Sequence, residues 1–224
     1  MCINLHRSAV LATVLAACSA TGVAHANLLT DPGFESNPLT TLSNIATNFV
    51  AFQNQWGPEM GTITPATGGV TPAGGVLMHS MTNAGGVATQ TWQAINVSSF
   101  SALISTGTAT VNASVLLNTV GGYTGASASV AVYFFSASNF GSQITNVGTG
   151  LLLDANPQTW EVASVSATIP SATTWMIFQV AYNNASLSGN AGFADDASLT
   201  IVPTPGAAAL LGLGGLAAAR RRRR

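Results

Sequence analysis

Lysine is absent from the 224-residue chain, and arginine is confined to its two ends. The six basic residues are Arg7 and Arg220 to Arg224, while the seven acids, Asp31, Glu35, Glu59, Asp154, Glu161, Asp195 and Asp196, all lie between them. A domain without a cationic side chain cannot neutralise phosphates by ion pairs, which argues against nucleic-acid binding. It also has no basic clamp for a nucleotide, and the chain has neither a P-loop nor a GxGxxG motif. The partner such a surface suits is neutral, or a cation. Cysteine is almost as scarce: Cys2 and Cys18 both precede Asn27. The region beyond them has no disulfide, thiol nucleophile or cysteine-based zinc site available, so its stability must come from a sizeable core. Histidine is reduced there to His79.

The N-terminus has Arg7, an apolar stretch from Ala9 to Ala17, and Ala24-His25-Ala26 before Asn27. A basic region, an apolar region and an A-x-A site predict a signal peptide over 1–26 and export of the chain beyond it. Leu15-Ala16-Ala17-Cys18 resembles a lipobox, which would make Cys18 a lipidated first residue. Cleavage after Ala26 is preferred, because a domain motif opens directly at Asn27.

Over 27–202 apolar and polar residues alternate. Val111, Ala113, Val115 and Leu117 share one face, with Asn112 and Ser114 opposite; Ala128, Val130, Val132 and Phe134 repeat the pattern, as do Trp175, Ile177, Gln179 and Ala181. Turn signals such as Gly74-Gly75, Gly121-Gly122 and Asn156-Pro157 punctuate these runs. Period two with frequent glycine turns predicts an all-β antiparallel sandwich or barrel. Strands are expected near 27–36, 47–53, 75–82, 86–97, 108–118, 127–136, 159–169, 174–183 and 192–202. No amphipathic helix or internal repeat stands out.

Asn27-Leu28-Leu29-Thr30-Asp31-Pro32-Gly33-Phe34-Glu35-Ser36 resembles the opening strand of galactose-binding-like jelly rolls, among them many carbohydrate-binding modules. Trp56 falls where that family places a buried tryptophan. Gln90-Thr91-Trp92-Gln93 and Thr159-Trp160-Glu161-Val162 look like its middle strands, and Phe193-Ala194-Asp195-Asp196-Ala197-Ser198-Leu199 looks like its closing strand. The resemblance implies a two-sheet β-sandwich with its first and last strands close together.

Asp31, Glu35, Asp195 and Asp196 cluster in the two end motifs. Converging carboxylates with no basic partner need a metal, backbone donors or solvent. Calcium, which takes carboxylate and carbonyl oxygens, is the natural metal. Many relatives of this jelly roll carry a structural calcium between these strands, and the resemblance maps it onto Glu35 and the Asp195-Asp196 pair. By parity Asp195 shares the face of Ala197, Leu199 and Ile201 and points inward, whereas Asp31 beside Pro32 suits a turn.

Carbohydrate binding is the frequent activity of that family, and it needs aromatic platforms with amides and hydroxyls beside them. Trp92, Tyr123, Tyr133, Trp175 and Tyr182 are the candidates, with Asn183 next to Tyr182; a sandwich also needs aromatics such as Trp92 and Trp160 for packing. The alternative is a carbohydrate-active enzyme of the glycoside hydrolase type, using Glu59 and Glu161 as a carboxylate pair. A Ser-His-Asp triad built on His79 stays open, since its members converge only in space, but no GxSxG supports it. Sequons at Asn96, Asn112 and Asn184 occur at about the frequency chance gives in so Asn- and Ser-rich a chain.

The C-terminus, 203–224, continues a Pro-rich Val202-Pro203-Thr204-Pro205 with an apolar run from Gly206 to Ala219 and then Arg220, Arg221, Arg222, Arg223 and Arg224. The run is shorter than the ~17–25 residues of a comfortable membrane helix. The arginines would stay cytoplasmic and could snorkel to lengthen the span. The three-part order resembles the PEP-CTERM sorting signal of Gram-negative bacteria that make exopolysaccharide, with Thr204 where glutamate is usual. It implies a membrane exosortase as processing partner, a transient transmembrane helix in the inner membrane, and a destination at the cell surface, outer membrane or extracellular matrix. A plain tail anchor is the competing reading. Together these features predict a non-catalytic structural or glycan-binding protein of the surface or exopolysaccharide matrix.

Overall fold

A computed structural model describes residues 26–36, 53–58, 61–81, 88–138, 140–183 and 191–203. Two five-stranded antiparallel sheets stack face to face. The first has the order β1 (Gly57–Pro58), β4 (Ala88–Asn96), β9 (Trp175–Asn183), β6 (Ser127–Phe135), β7 (Gln143–Leu152). The second runs β2 (Thr62–Thr64), β3 (Met78–Met81), β10 (Gly192–Pro203), β5 (Ala109–Thr119), β8 (Glu161–Thr168). A single helical turn, α1 (Ser101–Ile104), comes after β4 and buries Ile104. The expected all-β sandwich is therefore the observed fold.

Alternation builds the core. Val111, Ala113, Val115 and Leu117 of β5 face Ala128, Val130, Val132 and Phe134 of β6 and Met176, Phe178, Val180 and Tyr182 of β9 across the sandwich. Fully burying such a side chain stabilises the fold by roughly 1.5–3 kcal/mol relative to exposure. Trp56 is buried as the motif implied, its ring 4.6 Å from that of Phe34 and tilted by 33°, and its indole N–H donates to the Asp31 carbonyl at 2.8 Å.

Three expectations need correction. Residues 27–36 form no strand: Asp31 and Phe34 adopt φ 50° and 53°, and the Asp31-Pro32-Gly33 turn breaks any ladder. The segment nevertheless lies beside the last strand, since Leu28 N–H donates to the Leu199 carbonyl and Ala197 N–H to that of Pro32. A full strand, β7, occupies 143–152 where none was expected, because its glycines and exposed residues hide the period. The short β1 and β2 were also missed. Of the expected 47–53 strand only Gln53 is described, as an isolated bridge to Ala94.

Candidate functional site

The outer face of the first sheet gathers the aromatics that do not belong to the main core. Cross-strand register places Ala94, Ile177 and Tyr133 in one row, and Trp92, Gln179, Ala131 and Gly148 in the next. Asn96, Trp175 and Phe135 form the row on the other side of Ala94. Ala94, Phe135 and Ile177 are buried there as a second small cluster, with Trp92, Tyr133 and Trp175 half-buried around it. The rings of Trp92 and Tyr133 stand 6.2 Å apart, inclined by 35°.

Polar groups run beside these rings. The Tyr133 hydroxyl donates to Gln179 Oε1 at 2.9 Å, and Gln179 Nε2 donates to Gln90 Oε1. Burial pushes the Tyr133 phenol above its ordinary value, with the Gln179 bond working the other way, so it stays a neutral donor at physiological pH. Gln179 and Ala131 are buried beneath this face, so the half-buried rings, with Gln90 beside them, are what it offers to the apolar face and hydroxyl edge of a sugar. Gln90 and Gln179 were not singled out as ligand groups from sequence. The signal was present, since Gln179 alternates in step with Trp175 and Ile177, and Gln90 with Trp92.

The remaining aromatic candidates sit elsewhere. Tyr182 is a correction: it is fully buried in the main core, its hydroxyl 2.8 Å from Thr119 Oγ1, and no ligand can stack on it. Asn183, its neighbour, is exposed at the end of β9. Tyr123 packs against the main core. Trp160 packs beside Val70, Met78 and Phe193, with its indole N–H donating to the Thr71 carbonyl at 3.0 Å. A shallow groove of about 320 Å³ on the outer face of the second sheet is lined by Asn112, Ser114, Ser166 and Thr200 among others, and has no aromatic residue.

The acids of the end motifs gather around the Gly74-Gly75 loop. Asp195 is fully buried; its Oδ2 accepts from Ala73 N–H at 2.8 Å and Gly74 N–H at 3.2 Å, and its Oδ1 from Asp196 N–H at 2.8 Å. Burial raises its carboxyl, and these backbone bonds partly counter that. A register shift between Asp195 and Ser198, with Asp196 at φ 44°, forms a bulge that corrects the parity expectation: Asp195 lies opposite Leu116, on the other face from Ala197 and Leu199, and is buried by the Ala73-Gly74 loop, while Asp196 turns to solvent. Glu35 accepts from Val76 and Leu77 N–H at 3.1–3.2 Å. A Cβ built on Gly33 would lie 3.7 Å from Asp196 Oδ1 and 3.9 Å from Asp195 Oδ1, so these two carboxylates face one point, while the Glu35 carboxylate lies beside Gly75. Asp31 instead folds back, its two oxygens accepting from Glu35 and Ser36 N–H as a turn does.

This donor set fits a hard cation: every group is an oxygen, and the domain holds no Lys or Arg to compete. Among the described residues no three acidic, His or Cys side chains stand close enough to hold an ion alone, so backbone carbonyls would have to complete a shell.

Among the described residues neither Glu161 nor His79 hydrogen-bonds to another candidate catalytic side chain. Glu161 Oε2 accepts from Asp154 N–H at 3.0 Å, tying the turn before β8, and Glu59 lies outside the described residues. His79 is fully buried, stacked at 5.2 Å on Phe34, and neither ring nitrogen has a hydrogen-bond partner. Thr204, Pro205, Arg220 to Arg224, Cys18 and Asn184 also lie outside the described residues; Val202 and Pro203 end β10. No helix among the described residues is long and apolar enough to cross a membrane.

No protein-family model matches the chain, and no curated protein matches it significantly. Solved structures do share the fold. The carbohydrate-binding module TmCBM61, in complex with β-1,4-galactotriose, aligns with TM-score 0.52 at 13% identity, over 78% of this chain and 98% of its own. A putative sugar-binding protein from Bacteroides thetaiotaomicron aligns with TM-score 0.52 at 10% identity, over 78% and 99%. The Stig cyclase Fisc from Fischerella sp. TAU aligns with TM-score 0.53 at 10% identity, over 82% and 100%. The chain is thus a β-sandwich of the kind found in carbohydrate-binding modules, a fold that also serves an enzyme.

Proposed function

We propose that this is an exported, non-catalytic protein whose sandwich binds a neutral glycan of the cell surface or exopolysaccharide matrix. The observation that carries the reading is the placement of Trp92, Tyr133 and Trp175 on one sheet face with Gln179 and Gln90 alongside. Aromatic rings supply the stacking surface, and the Gln90 amide supplies directional bonds to hydroxyls. The absence of Lys and Arg from the domain removes the usual means of holding an anionic polymer. Affinity electrophoresis against neutral and acidic polysaccharides tests this. Retardation by a neutral polymer, lost in Trp92→Ala and in Tyr133→Ala, is expected. Migration unaffected by every polymer, or binding that survives both substitutions, would sink the reading.

Glu35, Asp195 and Asp196, with nearby carbonyls, would hold a structural calcium that ties the loop at Gly74-Gly75 to the last strand. What supports this is the placement of Asp195 and Asp196 beside Gly74 and of Glu35 beside Gly75, in a domain with no Lys or Arg to neutralise them.

Sorting is proposed to run through the tail: Val202-Pro203-Thr204-Pro205, the apolar run and Arg220 to Arg224 would be read and cut by an exosortase. Intact-mass measurement on protein recovered from the cell surface should find the arginines gone; a surface form that retains Arg224 would rule the processing out.

A further inference from the structure

Among the described residues β7 pairs only with β6, and β8 only with β5, so each closes one sheet at the same side of the sandwich, where the two strands touch. Edge strands expose a row of unpaired backbone groups, and proteins normally guard them with lysine, proline, inward charges or brevity. β7 has few such guards. It is 10 residues long, Gln-Ile-Thr-Asn-Val-Gly-Thr-Gly-Leu-Leu, with no charge and no proline. Its one irregularity is the register shift beside Ile144, which leaves Thr145–Leu152 regular.

Two observations show that this edge is a surface suited to contact. First, Leu153 N–H donates to the Ala126 carbonyl, which sets the alternation of the ladder. The N–H groups of Leu151, Thr149 and Val147 therefore point to β6, while those of Asn146, Gly148, Gly150 and Leu152 point away from it. Second, of the large apolar side chains exposed among the described residues, Val76, Ile144, Leu152 and Val162, three lie on β7 or β8. Leu152 is 69% exposed and Val162 60%.

We propose that β7 is a self-association edge, pairing antiparallel with β7 of a second copy of this chain to join two first sheets into one continuous sheet. An uncharged edge meets its own copy without repulsion, and the pairing would cover Leu152 of both chains. Charge selects the direction. Asp154 and Glu161 flank the Leu152 end, whereas the Gln143 end has no acid near it in sequence. Antiparallel pairing keeps the two acid pairs at opposite ends, and parallel pairing would set them side by side. This inference stands apart from glycan binding, although two copies so joined would present two binding faces on one continuous sheet.

Sedimentation velocity on the full-length chain in a non-ionic detergent, from micromolar to near-millimolar concentration, tests it. Wild type should dimerise reversibly. Leu152→Lys places a like charge on both strands, and Gly150→Pro removes an outward N–H while keeping the β6 ladder; a Cβ at 150 meets nothing closer than 3.9 Å. Each should weaken dimerisation by about tenfold or more. Val76→Lys, on the fourth exposed apolar residue, should leave it unchanged. Asn146→Lys, at an exposed position on the same edge, serves if either of the first two fails to fold. A wild type that stays monomeric throughout, edge variants that still dimerise, or a Val76→Lys effect equal to theirs would each overturn the proposal.

Discussion

The Tyr133 hydroxyl donates to Gln179 Oε1 at 2.9 Å, and through that amide it is joined to Gln90 on the far strand of the same sheet. The bond fixes which way the buried Gln179 amide points, and so how Gln90, the amide a ligand would meet, is held. Tyr133→Phe keeps the ring beside Trp92 but frees the amide to turn. Loss of one neutral hydrogen bond of this kind is worth ~1 kcal/mol. The expected result is glycan affinity lowered several-fold, measured by calorimetry, with a melting temperature little changed. Trp92→Ala should abolish binding instead.

Gly75 holds φ 56°, and a Cβ on it would overlap the Glu35 carboxylate. Gly75→Ala therefore meets both backbone strain and a displaced Glu35, which would lose its bonds from Val76 and Leu77. Strain of this type costs ~1–3 kcal/mol. Gly122→Ala is the matched control, because it has a similar φ of 78° but an open surround. Chemical denaturation should show the Gly75 variant clearly less stable than the Gly122 variant.

Much of this architecture was legible in the alternation. β5, β6 and β9 were readable because each buries every second side chain against the opposite sheet. β7 was not, since its inner face alternates Thr145, Val147, Thr149 and Leu151, and Gly148 and Gly150 interrupt the outer one. At the site, Tyr182 and Asn183 looked like a pair because they are adjacent in sequence. Adjacent residues of a strand point to opposite faces, and the parity of Val180 and Phe178 assigned Tyr182 to the core. The same rule set Asp195 on the core face with Ala197 and Leu199, and there it failed: the register shift puts Asp195 opposite Leu116 on the outer face, where the Ala73-Gly74 loop buries it. The bulge that turns Asp196 outward depends on a φ of 44°, which alternation cannot reveal.

Calcium removal gives a direct test of the acidic cluster. Chelation with EDTA should lower the melting temperature of the wild type, and added calcium should restore it. In Glu35→Ala and Asp196→Ala the chelator should have no further effect. Asp195→Asn tests the buried oxygen bonded to Ala73 and Gly74 N–H, and should both destabilise the domain and remove the calcium response. A wild-type melting curve indifferent to chelation would show that the backbone bonds to these carboxylates are sufficient alone.

His79 makes stability fall with acid. Burial holds its imidazole at about 4, well below the ordinary 6.5; Thr62 backbone lies on the side that favours the charged form, but no well-formed hydrogen bond reaches either nitrogen. Above pH 6.5 the ring is neutral whether folded or unfolded, and the full stability is present. Between pH 6.5 and about 4 the unfolded chain takes up a proton that the folded domain refuses, so stability declines by an amount on the order of 3 kcal/mol. Asp195 acts in the opposite direction: its raised carboxyl takes a proton in the folded state first, which offsets part of the loss at the acid end. His79→Leu isolates the two contributions. It fits the apolar site against Phe34 and removes two buried nitrogens without partners, so it should fold with little loss at pH 7. Denaturant midpoints measured from pH 7 to pH 5 should fall in the wild type and stay nearly level in His79→Leu. Equal slopes in the two proteins would mean that another group controls the acid response.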